Sequence, residues 1–169
     1  MQLQSWKACP PLRSALLATI VALPSSFAFA DEGPFSGFSG LWTGSGTITS
    51  TNGVSERLRC RAKYYVSPSG LNLDQQLRCA SDSYRFDVNS GLVREENGTI
   101  AGTWTEMTRN ATGSVRAQER GDSIVAKIAG PSFTADMTVT TRGDHQSVAI
   151  TPNGGGSDIA SVTINLHQE

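Results

Sequence analysis

The sequence predicts an all-β protein: an antiparallel up-and-down meander closed into a barrel of about eight to ten strands, with a two-sheet sandwich as the alternative. Three observations carry this. Apolar residues recur at every second position between short turn clusters, and no helical period runs through residues 38–169. Thr, Ser and Gly are abundant while Leu, Glu and Lys are scarce, which disfavours helix and suits strands with one wet face. All the connections are short, so sequence neighbours are expected to pair, and closing the sheet removes two exposed edges.

The turns divide the chain in order. Thr51-Asn52-Gly53 separates a first strand at 38–50 from a second at 55–66. Ser67-Pro68-Ser69-Gly70 leads to a third at 71–80, and a phase change over Ala80 to Ser83 leads to a fourth at 83–94. Glu96-Asn97-Gly98 precedes 99–108, Arg109-Asn110 precedes 112–119, and Arg120-Gly121-Asp122 precedes 123–129. Gly130-Pro131 precedes 132–142, Gly143-Asp144 precedes 145–151, and the glycine-rich Pro152 to Ser157 precedes a tenth strand at 158–167. Asn-Gly and Gly-Asp pairs punctuate strands because they supply positive φ at little cost.

The alternation predicts an inner face. It includes Leu58, Cys60, Ala62, Tyr64 and Val66 on the second strand, and Leu71, Leu73, Leu77 and Cys79 on the third. Tyr84, Phe86 and Val88, then Ile100 and Trp104, continue it, and Phe133, Ala135, Met137 and Val139 extend it further along. Cys60 and Cys79 share this face and are expected to form one disulfide. A two-residue Ser69-Gly70 turn would set them opposite, but it puts Pro68 where the ladder needs a donor. A four-residue loop, Ser67 to Gly70, makes them diagonal neighbours, and a bulge could restore direct opposition.

Residues 1–30 read as a secretory signal peptide. A polar start carries Lys7 and Arg13, an apolar run follows from Leu16 to Leu23, and Ala28-Phe29-Ala30 precedes Asp31. The run is too short for a transmembrane helix, and nothing after Ala30 is apolar enough to span a membrane. Cleavage after Ala30 would leave a periplasmic or secreted chain with a flexible lead-in at 31–37 and a single barrel domain at 38–169. Removing Lys7 and Arg13 leaves 12 basic residues against 15 acidic, a net charge of −3. No global charge then drives the chain onto nucleic acid or an acidic membrane.

Gly40-Leu41-Trp42 opens the first strand, and Gly102-Thr103-Trp104 repeats the spacing on the fifth. A Gly-x-Trp at the start of an up-and-down barrel resembles the calycin group, which includes lipocalins and avidins. That resemblance implies a Trp closing one end of the barrel and a small apolar ligand inside it. Tyr64, Tyr84, Phe86, Trp104 and Met137 would line such a pocket, with Trp42 as a further ligand-binding candidate; the same side chains could equally fill a core. The family also stacks a basic residue of a late strand on its Trp. Here Val162 to His167 offers no Lys or Arg. The wider pattern is similar to small exported bacterial β proteins, a likeness that implies an address and a fold but no activity.

Arg57, Arg59, Arg61 and Lys63 alternate along the second strand and share its outer face. They predict either a stripe for an anionic partner or a solvated face paired with Asp74 and other acids. Only Tyr65 offers an aromatic platform among them, so a nucleic-acid partner is not expected. No Gly-x-Ser-x-Gly, His-x-x-x-His or Cys-x-x-Cys occurs, and no metal or cofactor is implied. Glu95-Glu96 and Glu106 are the one carboxylate grouping to consider. The expected function is therefore a non-enzymatic exported binding protein holding a small apolar ligand. The alternative is a periplasmic interaction protein, protease-inhibitor-like or envelope-associated, that uses its outer surface.

Overall fold

A computed structural model describes residues 33–169. The proposed signal peptide lies outside the described residues. A short 3-10 turn, Ser36–Phe38, precedes ten strands: β1 Gly40–Ser50, β2 Ser55–Val66, β3 Asn72–Ala80, β4 Arg85–Arg94, β5 Thr99–Glu106, β6 Ala111–Arg120, β7 Ser123–Ala129, β8 Phe133–Arg142, β9 His145–Gly155 and β10 Ile159–Gln168. Each strand pairs antiparallel with its sequence neighbour, and β10 returns to β1, so the sheet is a closed barrel. The sandwich alternative is thereby excluded. Register is continuous along the closing seam from Trp42 opposite Gln168 to Thr49 opposite Ser161.

Strand positions follow the alternation closely. The largest departure is β9, which runs on through Pro152, Asn153 and Gly154 to Gly155 where a turn was expected. The register against β8 shifts between Phe133 and Ala135, so an irregularity absorbs the proline. Asn97 and Asn110 serve their turns. Asn97 Oδ1 accepts the Thr99 amide at 2.8 Å, and Asn110 takes a positive φ of 51°.

Cys60 and Cys79 form the expected disulfide, but they stand directly opposite rather than diagonally, with Cα atoms 4.2 Å apart. The loop does have four residues, but they are Pro68–Leu71. The Ser67 amide donates to the Asn72 carbonyl at 3.0 Å, and the Gly70 amide to the Ser67 carbonyl at 2.8 Å. Counting back from the bonded pair Ser67–Asn72, every second pair is non-bonded, and Cys60–Cys79 is one of these. That phase gives the close Cα approach and leaves Pro68 in the loop, where it owes the ladder no donor.

Two glycines of β1 explain how the wall curves. A Cβ on Gly44 would sit 2.0 Å from the Asn165 carbonyl oxygen, and one on Gly46 equally close to that of Thr163. β10 can close against β1 only where these side chains are missing, so the small inner residues here serve sheet closure rather than ligand room.

Candidate functional site

The two ends of the barrel differ. Of the lead-in expected at 31–37, residues 33–37 are described, and they pack onto one end instead of trailing from it. Phe35 is fully buried, and its amide donates to the Gly70 carbonyl at 3.1 Å. Phe38 meets the Tyr64 ring edge-on at 5.6 Å, and Trp42 meets the same ring at 6.3 Å. Trp42 Nε1 donates to the Phe38 carbonyl at 2.7 Å. Pairs of edge-to-face aromatics add about 0.5–1.5 kcal/mol each beyond their buried area, so the plug is firmly seated. The signal in the sequence was the Phe35 and Phe38 pair, apolar residues in a stretch otherwise rich in Gly and Ser.

Behind this plug lies a cavity of about 560 Å³ inside the barrel. Leu77, Phe86, Val88, Met137, Val139 and Val148 face the axis, yet all are only half-buried. Inward side chains that keep accessible surface mark a hollow interior, not a filled core. Tyr64, Tyr84, Phe86, Trp104 and Met137 all line this space. Trp42 does not: it is fully buried in the closed end and holds the plug.

Trp104 lies along the wall instead of across the bore. A Cβ on Gly113, its partner on β6, would come within 2.6 Å of the indole, and Trp104 Nε1 reaches over β6 to the Ala129 carbonyl at 3.3 Å. The ring fills the gap left by the glycine and keeps the centre free. A shallow, open recess on the outer wall, lined by Thr103, Thr112, Ser114 and Pro131, lies behind the same residues.

The other end carries the charged lining residues Glu106, Arg109 and Asp158. Glu106 is buried. Burial works to raise its pKa, but hydrogen bonds from Thr108, the Asp87 amide and the Arg109 amide outweigh that and hold it at about 2. Arg109 lies 3.6 Å from that carboxylate and above the Phe86 ring, 5.5 Å from its centre. Phe86 in turn stacks on Tyr84, whose hydroxyl donates to Asp158 at 3.2 Å. Burial first, then the nearby Asp158 and Glu56 charges, push the Tyr84 phenol up. Glu106 stands at this open end, while Glu95 and Glu96 sit in the β4–β5 turn at the closed end, so the three do not form a carboxylate site.

The basic stripe falls on the outer wall. Arg57, Arg59, Arg61 and Lys63 are all exposed. Among the described residues, no ion pair joins any of them to Asp74 or another acid. Arg61 stands directly opposite Arg78. The face is solvated, but its expected pairing with acids does not form among the described residues. Lys63 lies over the Tyr65 ring at 4.6 Å, and Arg57 reaches only Ser45 Oγ at 3.4 Å. His145 and His167 are likewise exposed, beside Asp144 and Thr43 respectively.

Fold and cavity together define a class: a closed ten-stranded antiparallel barrel, plugged at one end and hollow behind the plug. No protein-family model matches the chain, and no curated protein matches it. Among solved structures, Rv2717c from M. tuberculosis is similar, with a TM-score of 0.63 and 13% identity over 79% of this chain and 94% of that one. The S-type phycobiliprotein lyase CPES from Guillardia theta is similar too, with a TM-score of 0.60 and 10% identity over 80% of this chain and 90% of that one. At such identities the likeness is one of fold.

Proposed function

We propose that this protein is a non-enzymatic exported binding protein that holds a small apolar ligand inside its barrel. The observation that carries the reading is the hollow interior. Its volume falls within the roughly 300–1,000 Å³ of small-molecule sites, and its wall is mostly aliphatic and aromatic with few polar groups. The calycin-like Gly-x-Trp supports it, since Trp42 closes one end of the barrel. The fold shared with a phycobiliprotein lyase fits a binding role as well.

The non-enzymatic part rests on how the lining carboxylates are engaged. Glu106 is tied down by several donors and Arg109, and Asp158 accepts from Tyr84. Neither stands free beside a nucleophile or base. Export rests on the signal-peptide pattern, and a disulfide belongs to an oxidising compartment. Periplasmic or secreted delivery would leave a mature chain beginning at Asp31.

Native mass spectrometry of protein purified from its own compartment tests the proposal. The expected result is a mature chain carrying a co-purifying small molecule, released on unfolding. A bare mass, together with unchanged tryptophan fluorescence on adding hydrophobic dyes, would rule it out.

A second reading uses the outer wall. Arg61 stands directly opposite Arg78, whose charge is taken up by Asp87 at 3.0 Å, while Arg57, Arg59, Arg61 and Lys63 themselves have no acid paired with them among the described residues. The stripe then serves an anionic partner protein. Crosslinking in a compartment extract should give a stoichiometric partner that is lost when Arg57, Arg59 and Arg61 become Glu. Absence of any partner from the unmodified chain would remove this reading.

A further inference from the structure

Away from the charged open end, two polar side chains besides Tyr64 interrupt the apolar wall of the cavity. Gln75 on β3 and Ser90 on β4 are cross-strand partners, both half-buried and both lining the interior. Ser90 Oγ donates to Gln75 Oε1 at 2.8 Å, and Gln75 Nε2 donates to Tyr64 Oη at 3.5 Å. Tyr64 Oη donates to Gln146 Oε1 at 2.7 Å, and Gln146 Nε2 to Thr141 Oγ1 at 3.0 Å. Every donor in this chain points the same way, from the cavity toward the closed end.

A chain with one direction has a defined remainder at its open end. Gln75 Nε2 carries a second hydrogen that none of these bonds uses, and Ser90 Oγ keeps its lone pairs. Polar groups in an apolar wall are costly when unpaired, so this remainder calls for a partner of matching polarity. The group that answers both is one that accepts from an N–H and donates to a hydroxyl oxygen.

Charge at this position is unfavourable. The charged lining residues Glu106, Arg109 and Asp158 belong to the end of β5, the β5–β6 loop and the β9–β10 connection, all at the other end of the barrel. Arg94 also faces inward, but it comes beyond Leu92 at the closed end and does not line the cavity. Burial pushes the Tyr64 phenol well above its ordinary value, so the network itself stays neutral. An ionised carboxylate placed there would be buried without a cation beside it.

We propose that the cavity takes a neutral alcohol, an apolar body bearing one hydroxyl, seated with that hydroxyl between Gln75 Nε2 and Ser90 Oγ. This rests on the cavity-binding reading above. The apolar remainder lies along Leu77, Val88 and Met137 toward the open end.

Displacement of a neutral fluorescent probe, N-phenylnaphthylamine, tests it with three chains of equal length: dodecanol, dodecanoate and dodecane. Dodecanol is expected to displace the probe at concentrations about tenfold lower than either of the others. Gln75→Leu should bring dodecanol down to the level of dodecane measured on the same variant. That variant keeps the Tyr64–Gln146 bond, because Tyr64 is the donor in it, and a thermal melt checks the fold. Ser90→Ala, a smaller change, should weaken dodecanol in the same direction. Preference for dodecanoate, equal displacement by dodecanol and dodecane, or no effect of either substitution would overturn the proposal while leaving the cavity reading intact. A probe that fails to bind the unmodified protein at all would overturn both.

Discussion

The Tyr64 hydroxyl donates to Gln146 Oε1 at 2.7 Å, joining β2 to β9 across the closed end of the barrel between residues 82 apart in sequence. Gln146 is one of two buried polar side chains among the described residues. Tyr64→Phe removes its donor and leaves a buried oxygen unsatisfied. The expected cost is about 1–3 kcal/mol, read as a lower urea midpoint. The same residue sets a pH dependence. Burial raises the Tyr64 pKa in the fold above its unfolded value of about 10. The folded state therefore holds the proton longer, and stability falls as pH climbs past about 10. Tyr64→Phe lacks this contribution, so its stability curve should be flatter above that pH.

Glu106 predicts the opposite limb. Its pKa in the fold is about 2, below the ordinary carboxylate value, so its contribution is complete above about pH 4.5 and is lost as pH falls toward 2. Glu106→Gln should cost about 2 kcal/mol at neutral pH, since charge-assisted bonds from Thr108 and the Arg109 amide are weakened. The gap between variant and parent should close across the acid window. A gap that stays constant down to pH 2 would show that the carboxylate's charge contributes nothing.

How far the sequence carries can be judged from particular residues. Strand positions and inner faces were legible because alternation is a local property, and Tyr64, Tyr84, Phe86, Trp104 and Met137 do line the interior. The hollow itself was not legible. The same pattern describes a filled core, and the difference lies in how wide ten strands stand apart. The calycin resemblance implies that Trp42 closes one end of the barrel and also makes it a ligand-binding candidate; the packed 33–38 segment shows that it sits in the closed end and not on the cavity. Gln75, Ser90 and Gln146 were passed over, since a polar residue on an inner position reads as a break in the pattern until its partners on other strands are known. The cysteine pairing was legible as a pair, but its opposition depended on which loop residue carries the hydrogen-bond phase.

Reduction of the disulfide is expected to lower stability without changing the fold class. Cys60 and Cys79 close a loop of 19 residues, which on a chain-entropy account corresponds to about 3 kcal/mol. In urea titrations the reduced protein and a Cys60→Ser, Cys79→Ser double variant should unfold at the same midpoint, below that of the oxidised parent. Their common shift measures the crosslink. A double variant as stable as the oxidised parent would mean that the β2–β3 pairing is held by its ladder alone.

Cavity occupancy can be separated from stability by one substitution and read by one tryptophan. Val139 is half-buried and faces the interior, so Val139→Phe adds volume to empty space and needs no surface to yield. Filling a void commonly stabilises by about 0.5–2 kcal/mol, and the same ring takes room from a ligand. The variant should melt at or above the parent's temperature while losing most of its dye binding. Trp104 lines the cavity and Trp42 does not, so the parent's fluorescence response to ligand should survive Trp42→Phe and vanish in Trp104→Phe. Undiminished dye binding in Val139→Phe, with the response lost in Trp42→Phe instead, would place the ligand outside the barrel interior.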